Sequence, residues 1–476
     1  MTETALEFAT VADMAARLRA GALGPVKLAE TFLDRIAALD KRLHAFIGVT
    51  RDRALAEARA AETRLRAGVD VGPLHGIPYA VKDLYDVKGA PTTAGTRLLA
   101  GNLAARDSAA VRRLGAAGMV LLGKTHTVQF AFGGVGINHD HGTPHNPWSS
   151  TPHAPGGSSS GSGVAVGAGL APVALGSDTG GSVRIPAALC GTVGLKTTVG
   201  RISRDGVYPL SWTLDTVGPL TRSVEDAALV YQALQGVDLA DETTIGVPAH
   251  DVLGTLETGV RGLRVAFGET LFFDDVDADI TAAVRDAGRV LQGLGASVES
   301  VDVPEVAEAM AEQRRASMIA AEALAVNGRF IDEQFDALDP VVAHRMKMGR
   351  GLSATDYFAV LRQWASLRER VTRRLAHVDA LLVPATMIPP RPVAAIDASV
   401  DSYADANFRY LRNTAVGNIL GLCAVVLPCG FTRDGLPIGL MVYAKPFDEA
   451  TALRVAWAYE QATAWHRRRP ELGWAR

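Results

Sequence analysis

From residue 13 to about residue 66 apolar side chains return every three or four positions, as at Leu28, Phe32, Ile36 and Leu39, and alanine is frequent. That spacing predicts helix, and Gly72-Pro73 breaks it. Residues 77–81 and 119–122 read as short buried strands, with a helix between them that Asp107 opens at Ser108 and Gly118 stops. Further on, residues 263–267, 279–294 and 297–303 form a β–α–β pattern. A long helix from Glu305 is expected to stop near Asn327-Gly328, with more helix up to Ala376. Residues 380–383 read as another buried strand, and residues 436–443 as a strand after a turn at Asp434-Gly435. Asp448 then caps a last helix up to Trp465. Strands alternating with helices along the whole chain predict an α/β layered fold.

The stretch 143–200 is of another kind. It is rich in glycine and serine yet laced with Val, Ala, Leu and Ile, whereas a flexible linker would be polar throughout. Packed backbone with tight turns is the expectation. A polar connection follows at 236–262, and neither an internal repeat nor a low-complexity tract is seen.

Composition narrows the function classes. The chain has 476 residues and a net charge of −3, without the clustered basic residues that a nucleic-acid binder or a polybasic membrane tether needs. With 48% hydrophobic residues it can bury a large core, which excludes disorder. Three cysteines (Cys190, Cys423, Cys429) fit neither a disulfide scaffold nor a zinc cluster. Residues 1–20 show no basic segment followed by an apolar core, and the apolar stretches 163–176 and 416–430 are broken by Pro172 and Pro428. The expectation is a soluble, cytoplasmic protein.

Lysine is scarce, and Lys82, Lys124 and Lys196 each sit in apolar sequence. Such a lysine can snorkel, pair with a carboxylate, or lose its proton and act as a base. Composition does not choose among these. Two serine loops add candidates, at 155–163 and 176–184. Neither fits a phosphate loop: no lysine follows the second glycine, and Gly161-Ser-Gly163-Val-Ala-Val166 fails the dinucleotide pattern at its last position. Gly157-Ser158-Ser159-Ser160-Gly161 matches a nucleophile elbow centred on Ser159, but Pro152-His-Ala-Pro155 is a poor strand to precede one. In the second loop, Gly180-Gly181 before Ser182 lets successive N–H groups converge as an oxyanion hole requires. Each loop alone could equally be an ordinary turn.

Taken together, the two loops, then Arg184-Ile-Pro186 and Cys190-Gly-Thr-Val-Gly-Leu-Lys196, closely resemble the signature of the amidase signature family. The likeness runs without gaps from Gly156 to about Gly200. It extends loosely over residues 76–219 and returns at 424–439 (Val425-Val-Leu-Pro-Cys-Gly, Gly435-Leu-Pro-Ile-Gly). It implies a large mixed central β-sheet flanked by helices on both faces, in a single domain over 1–476. The expected parts are N-terminal helices at 1–66, a signature core at 67–235, a variable, mostly helical and lid-like region at 236–380, and a completion of the core at 381–476. It also implies a Ser–cis-Ser–Lys triad. Lys82 (in Gly76-Ile-Pro-Tyr-Ala-Val-Lys82-Asp) would be the base, Ser158 the relay after a cis Gly157–Ser158 peptide, and Ser182 the nucleophile. The N–H groups of Thr179, Gly180, Gly181 and Ser182 would hold the oxyanion, and Ser159, Asp178 and Arg184 would brace the loops. Neither metal nor cofactor is implied.

Five histidines between His126 and His153 raise the question of a metal site, but their spacing does not support one, and a loop at the mouth of the site is expected. Phe130, Phe132, Gly133, Gly134, Tyr208 and Trp212 are the candidate pocket residues. One branch of the family serves as the glutaminase component of glutamine-dependent tRNA amidotransferases. That branch carries an acidic, hydroxyl-bearing stretch before its Asn-Pro-Trp, where this chain has Gly133-Gly-Val-Gly-Ile-Asn-His-Asp-His-Gly142. The expected function is hydrolysis of a small-molecule amide, anilide or carbamate by a monomer or homodimer. A glutaminase of that branch and a Ser159 esterase are the alternatives.

Overall fold

The computed structural model describes residues 5–315 and 318–476. Among them eleven strands join in one mixed sheet. In chain order these are β1 (Phe46–Val49), β2 (Pro78–Lys82), β3 (Val120–Thr125), β4 (Val173–Asp178), β5 (Val193–Lys196), β6 (Thr216–Thr221), β7 (Arg264–Gly268), β8 (Ser297–Val301), β9 (Ala380–Pro384), β10 (Cys423–Phe431) and β11 (Pro437–Ala444). Across the sheet the order is β1-β3-β2-β4-β6-β5-β10-β11-β9-β7-β8. β2 runs parallel to both β3 and β4, and β7 to both β8 and β9, while the intervening pairs are antiparallel. Every residue of β2 to β6 is buried. Since successive side chains point to opposite faces, helices and loops must cover both. The edge strand β8, by contrast, has no buried residue.

The helical spacing of residues 13–66 is interrupted where the period alone shows no break. Helices Val11–Arg19, Pro25–Leu43 and Arg51–Arg66 form, but β1 lies between the last two and pairs with β3. Asp40 makes the turn by accepting the N–H groups of Ala45 (2.7 Å) and Phe46 (3.1 Å), and His44 takes a left-handed conformation with φ 52°. The helix expected to stop near Asn327-Gly328 instead runs as Met318–Glu333. The Asn327 side chain does not cap the helix: its amide donates to Ala323 O (3.0 Å) and its oxygen accepts from Tyr208 (2.7 Å). The single long helix expected from Glu305 also crosses residues 316–317, which lie outside those described. Pro428, read as a breaker, sits inside β10 at a register shift, beyond the last residue of that strand paired with β5.

The glycine-rich middle becomes the centre of the molecule. It supplies β4 and β5, and the buried helices Ser160–Gly167 and Arg184–Cys190. Glycine lets these helices approach neighbouring backbone closely. A Cβ on Gly161 would collide with Ala45 O and His126 N. No helix among the described residues is long and apolar enough to cross a membrane. The close approach at Gly161 generates a stability test. Gly161→Ala is expected to lower stability by roughly 1–3 kcal/mol, the usual range for overpacking against atoms that cannot move aside. Denaturant unfolding followed by far-UV circular dichroism will measure it.

Candidate active site

Lys82 is the last residue of β2, which lies between β3 and β4, and its side chain is fully buried. Its Nζ lies 2.7 Å from Ser158 Oγ and 2.9 Å from Ser177 Oγ. No carboxylate among the described residues forms an ion pair with it. Burial drives its pKa down to about 7, against the weaker pull of the Asp215 and Asp178 charges. The other two embedded lysines are differently engaged. Lys124 pairs with Asp83 at 2.6 Å. Lys196 donates to the carbonyls of Thr197 (2.8 Å) and Leu422 (2.9 Å).

The two serine loops meet. Ser158 follows a cis peptide after Gly157, and the N–H of Ser159 donates to Ser182 O at 3.3 Å. Ser159 Oγ donates to Ser177 O and accepts from Ser177 N–H, both at 3.3 Å, so this hydroxyl is tied to the backbone of β4. The segment before it, residues 154–157, is loop and not strand, so the elbow geometry is missing.

Around Ser182 the backbone is folded over one buried carboxylate. Asp178 accepts the N–H groups of Gly181 (2.9 Å) and Val183 (3.1 Å), two guanidinium contacts from Arg184 (2.9 and 3.0 Å), and the Asn418 amide (2.8 Å). Despite full burial, the Arg184 charge holds this carboxyl far below its ordinary range. Arg184 is itself fixed by Tyr443 (2.8 Å) and Asn418 (2.6 Å). Thr414 Oγ1 donates to Gly180 O at 2.7 Å. Gly181 has φ 137°, and a Cβ there would strike Thr414 Oγ1. One of the four expected oxyanion donors is therefore corrected: the Gly181 N–H is spent on Asp178. The N–H groups of Thr179, Gly180 and Ser182 have no acceptor among the described residues.

Two neighbours carry no motif of their own. Ser177 lies in the second loop with nothing local to mark a role, and only its side-chain direction from β4 reveals that it faces Lys82. Asp215 is half-buried, its pKa raised by desolvation, and it accepts from Thr179 Oγ1 (2.5 Å) and the N–H groups of Leu210 (2.8 Å) and Ser211 (3.0 Å). Its one sequence cue is a carboxylate directly ahead of β6.

A cavity of about 140 Å³ opens on Thr179 and Gly180 and is walled by Phe132, Leu214, Met318, Ile319, Met348, Trp364, Ala415 and Ile419, with Arg345 among them. Of the expected pocket residues only Phe132 lines it. Phe130 stacks on Tyr208 and Phe330 without lining the cavity, and the Tyr208 hydroxyl is bound to Asn327. Trp212 stands 54% exposed and borders two other hollows. Gly133 lies behind the wall, where a Cβ would come within 3.9 Å of Arg345 Nη1. Gly134 braces the Ser158 loop, accepting the Gly157 N–H at 2.8 Å. Arg345, Met318 and Trp364 come from distant helices that no motif marked.

The histidines serve other ends. His139 bridges Asp339 (2.6 Å) and Asp397 (2.9 Å), and the Asp339 hydrogen bond raises its pKa to about 9. Burial pulls His126 down to about 3. Among the described residues no group of three or more His, Cys, Asp or Glu side chains is placed to hold a metal ion.

Comparison with known proteins agrees with this geometry. The amidase family pattern matches residues 27–453. The chain is 41% identical to a 2-amino-5-chloromuconic acid deaminase of Comamonas testosteroni, over 95% of each chain. It is 40% identical to an amidase of Pseudomonas putida, over 97% of this chain and 98% of that one. The solved peptide amidase of Stenotrophomonas maltophilia superposes with a TM-score of 0.84 at 32% identity, over 99% of each chain. A buried lysine, two adjoining serine loops and this extent of likeness place the chain in the amidase signature family, as a hydrolase acting on the carbon–nitrogen bonds of amides.

Proposed function

We propose that the chain hydrolyses small-molecule amides, with anilides and carbamates as neighbouring substrates, through an acyl-enzyme on Ser182. The observation that carries this reading is the Lys82 amine, buried without a carboxylate partner and 2.7 Å from Ser158 Oγ. A neutral amine has a lone pair to accept the Ser158 proton as Ser158 takes that of Ser182. Ser182 Oγ then bonds to the acyl carbon. The negative carbonyl oxygen is met by the N–H groups of Thr179 and Gly180, which line the cavity, with that of Ser182. When the C–N bond breaks, the proton returns through Ser158 to the leaving nitrogen. Water then gives its hydroxyl to the acyl carbon and a proton back to Ser182. The positive charge held briefly on Lys82 is stabilised by the fields of Asp215 and Asp178. A carbamate passes through the same tetrahedral oxyanion, which is why it belongs to the same class.

The glutaminase reading has less support. Glutamine carries an α-ammonium group, and among the described residues no carboxylate lines the cavity to receive it. A Ser159 esterase lacks support too, because that hydroxyl is bound on both sides to the backbone of Ser177.

Two tests follow from the chemistry. Ser182→Ala and Lys82→Ala are each expected to lower kcat/KM on an activated anilide by on the order of 10³-fold or more, as for other nucleophile and base deletions. Ser159→Ala should cost far less, and near-normal turnover by Ser182→Ala with unchanged circular dichroism rejects the mechanism. In the second test, kcat/KM should rise with pH through about 7 and then level, because protonated Lys82 has no lone pair to offer. A profile that is flat between pH 6 and 8 removes Lys82 as the base.

A further inference from the structure

We infer that Glu322 is a positioning residue for the reaction: from the helical layer it holds the turn that orients the oxyanion donors before Ser182. This rests on the catalytic reading above and adds to it a residue outside the signature loops. Glu322 lies in the helix Met318–Glu333 and is 5% exposed. Among the described residues no cation forms an ion pair with its carboxylate. It accepts hydroxyl groups from two other segments instead. Oε2 takes those of Ser211 and Thr213, the latter at 3.2 Å, and Oε1 takes that of Tyr357 at 2.6 Å.

A carboxylate is a costly choice for such a place. Around it the same helix packs through Ala320, Ala323, Phe330 and Ile331, and an apolar side chain would fill the space without desolvating a charge. What the carboxylate adds is direction. A hydrogen bond to an ionised oxygen is short and fixes where its partner stands, which apolar packing does not do.

The hydroxyls it holds lead to the oxyanion loop. Ser211 and Thr213 belong to the turn 210–215, which Asp215 closes by accepting the N–H groups of Leu210 (2.8 Å) and Ser211 (3.0 Å) on one oxygen. Its other oxygen accepts the Thr179 hydroxyl at 2.5 Å. An unbroken line therefore runs from Glu322 through Ser211 and Asp215 to Thr179, whose N–H, with that of Gly180, faces the cavity. Asn327, on the same helix as Glu322, grips the approach to the turn through Tyr208 at 2.7 Å, and Arg204 holds its outer side by donating to Trp212 O at 2.7 Å. Asp178 fixes the far end of the oxyanion loop at Gly181 and Val183, so the near end at Thr179 depends on Asp215 and on what steadies Asp215. Donors of this kind act only if they stand in place before charge develops, and a misplacement of about 1 Å can cost on the order of 10²-fold in rate.

The experiment compares Glu322→Met, which is close in volume, and Glu322→Gln with the parent full chain. The substrate is 4-nitroacetanilide, and active sites are counted by the burst of 4-nitrophenol from 4-nitrophenyl acetate. Glu322→Met should lower kcat per active site by roughly 5–100-fold while KM changes by less than about threefold, because the lost interaction matters in the transition state. Glu322→Gln should recover most of that loss, since hydroxyl groups can donate to its carbonyl oxygen and accept from its amide. A second arm combines Glu322→Met with Thr179→Val, which cuts the far end of the line. The double variant should lose much less than the product of the two single losses, whereas a merely structural role gives independent effects that multiply. If Glu322→Met does not fold, Ser211→Ala takes its place in both arms and should lower kcat by about fivefold, the worth of one hydrogen bond. A smaller fall in kcat, a loss carried by KM, Glu322→Gln as poor as Glu322→Met, or multiplying losses each overturn the inference. Any of these with Ser182-dependent turnover leaves the catalytic reading standing, whereas undiminished turnover in Ser182→Ala sinks the catalytic reading itself.

Discussion

The expulsion of water from around a single amine governs the rest of the site. An ordinary lysine has a pKa of 10.5 and is a cation at neutral pH, useless as a base. Lys82 reaches about 7 because β2 is flanked by β3 and β4 and its end is closed over by the two serine loops. The shift works against folding. Between about pH 7 and 10.5 the unfolded chain holds a proton that the folded chain lacks, so at neutral pH this one group costs roughly 5 kcal/mol of stability. That cost falls as pH rises through the window. A carboxylate beside the amine would offset part of it, as Asp83 does for Lys124, whose pKa burial nevertheless lowers. Two hydroxyls are the compromise: they satisfy the nitrogen without fixing its charge.

A second buried charge does the opposite work. Asp178 and Arg184 are both fully buried and bound to each other, and here the pairing keeps both ionised. The pair is a poor stabiliser by itself, since desolvation offsets much of the attraction. Its use is geometric. By accepting from Gly181 and Val183, Asp178 winds residues 179–183 around itself, which turns the N–H groups of Thr179, Gly180 and Ser182 away from protein acceptors. Losing Gly181 as an oxyanion donor is the consequence of using it as an anchor. Asn418 and Thr414, both from the helix Val400–Ile419, lock that loop from the far side of the sequence.

What the sequence made legible follows from which signals are local. The helices Ala278–Gly293 and Glu449–Gln461 show their period openly, and the serine loops could be read because their spacing is fixed over a short segment. β1 was hidden because it lies between two strongly helical stretches and exists only through pairing with β3. The strands and helices at 160–196 were hidden because glycine and serine make no periodic pattern, even where every residue is buried. Aromatic residues misled: Phe130 and Tyr208 are close in sequence to the loops, yet they pack on Phe330 and Asn327. Ser177, Arg345 and Trp364 have no local mark at all, and Asp215 has only its place directly ahead of β6. Their meaning depends on which way a side chain leaves a strand or helix, and that is a property of the assembled sheet and the helices against it.

These observations separate the parts of the site by how freely they can vary. The amine, the two hydroxyl loops and the Asp178 anchor are interdependent, since each is buried and hydrogen-bonded to the others or to their neighbours. Changing one leaves an unmatched polar group in a dry interior. The cavity wall is built otherwise, from helices at 318–333, 340–347 and 354–374 whose contacts with the sheet loops are mainly apolar side chains. Exchanging one apolar residue for another of similar volume there costs little. In the proposed mechanism the chemistry therefore rests on the sheet and two loops, and the choice of substrate on a surrounding helical layer whose apolar residues can change without disturbing them.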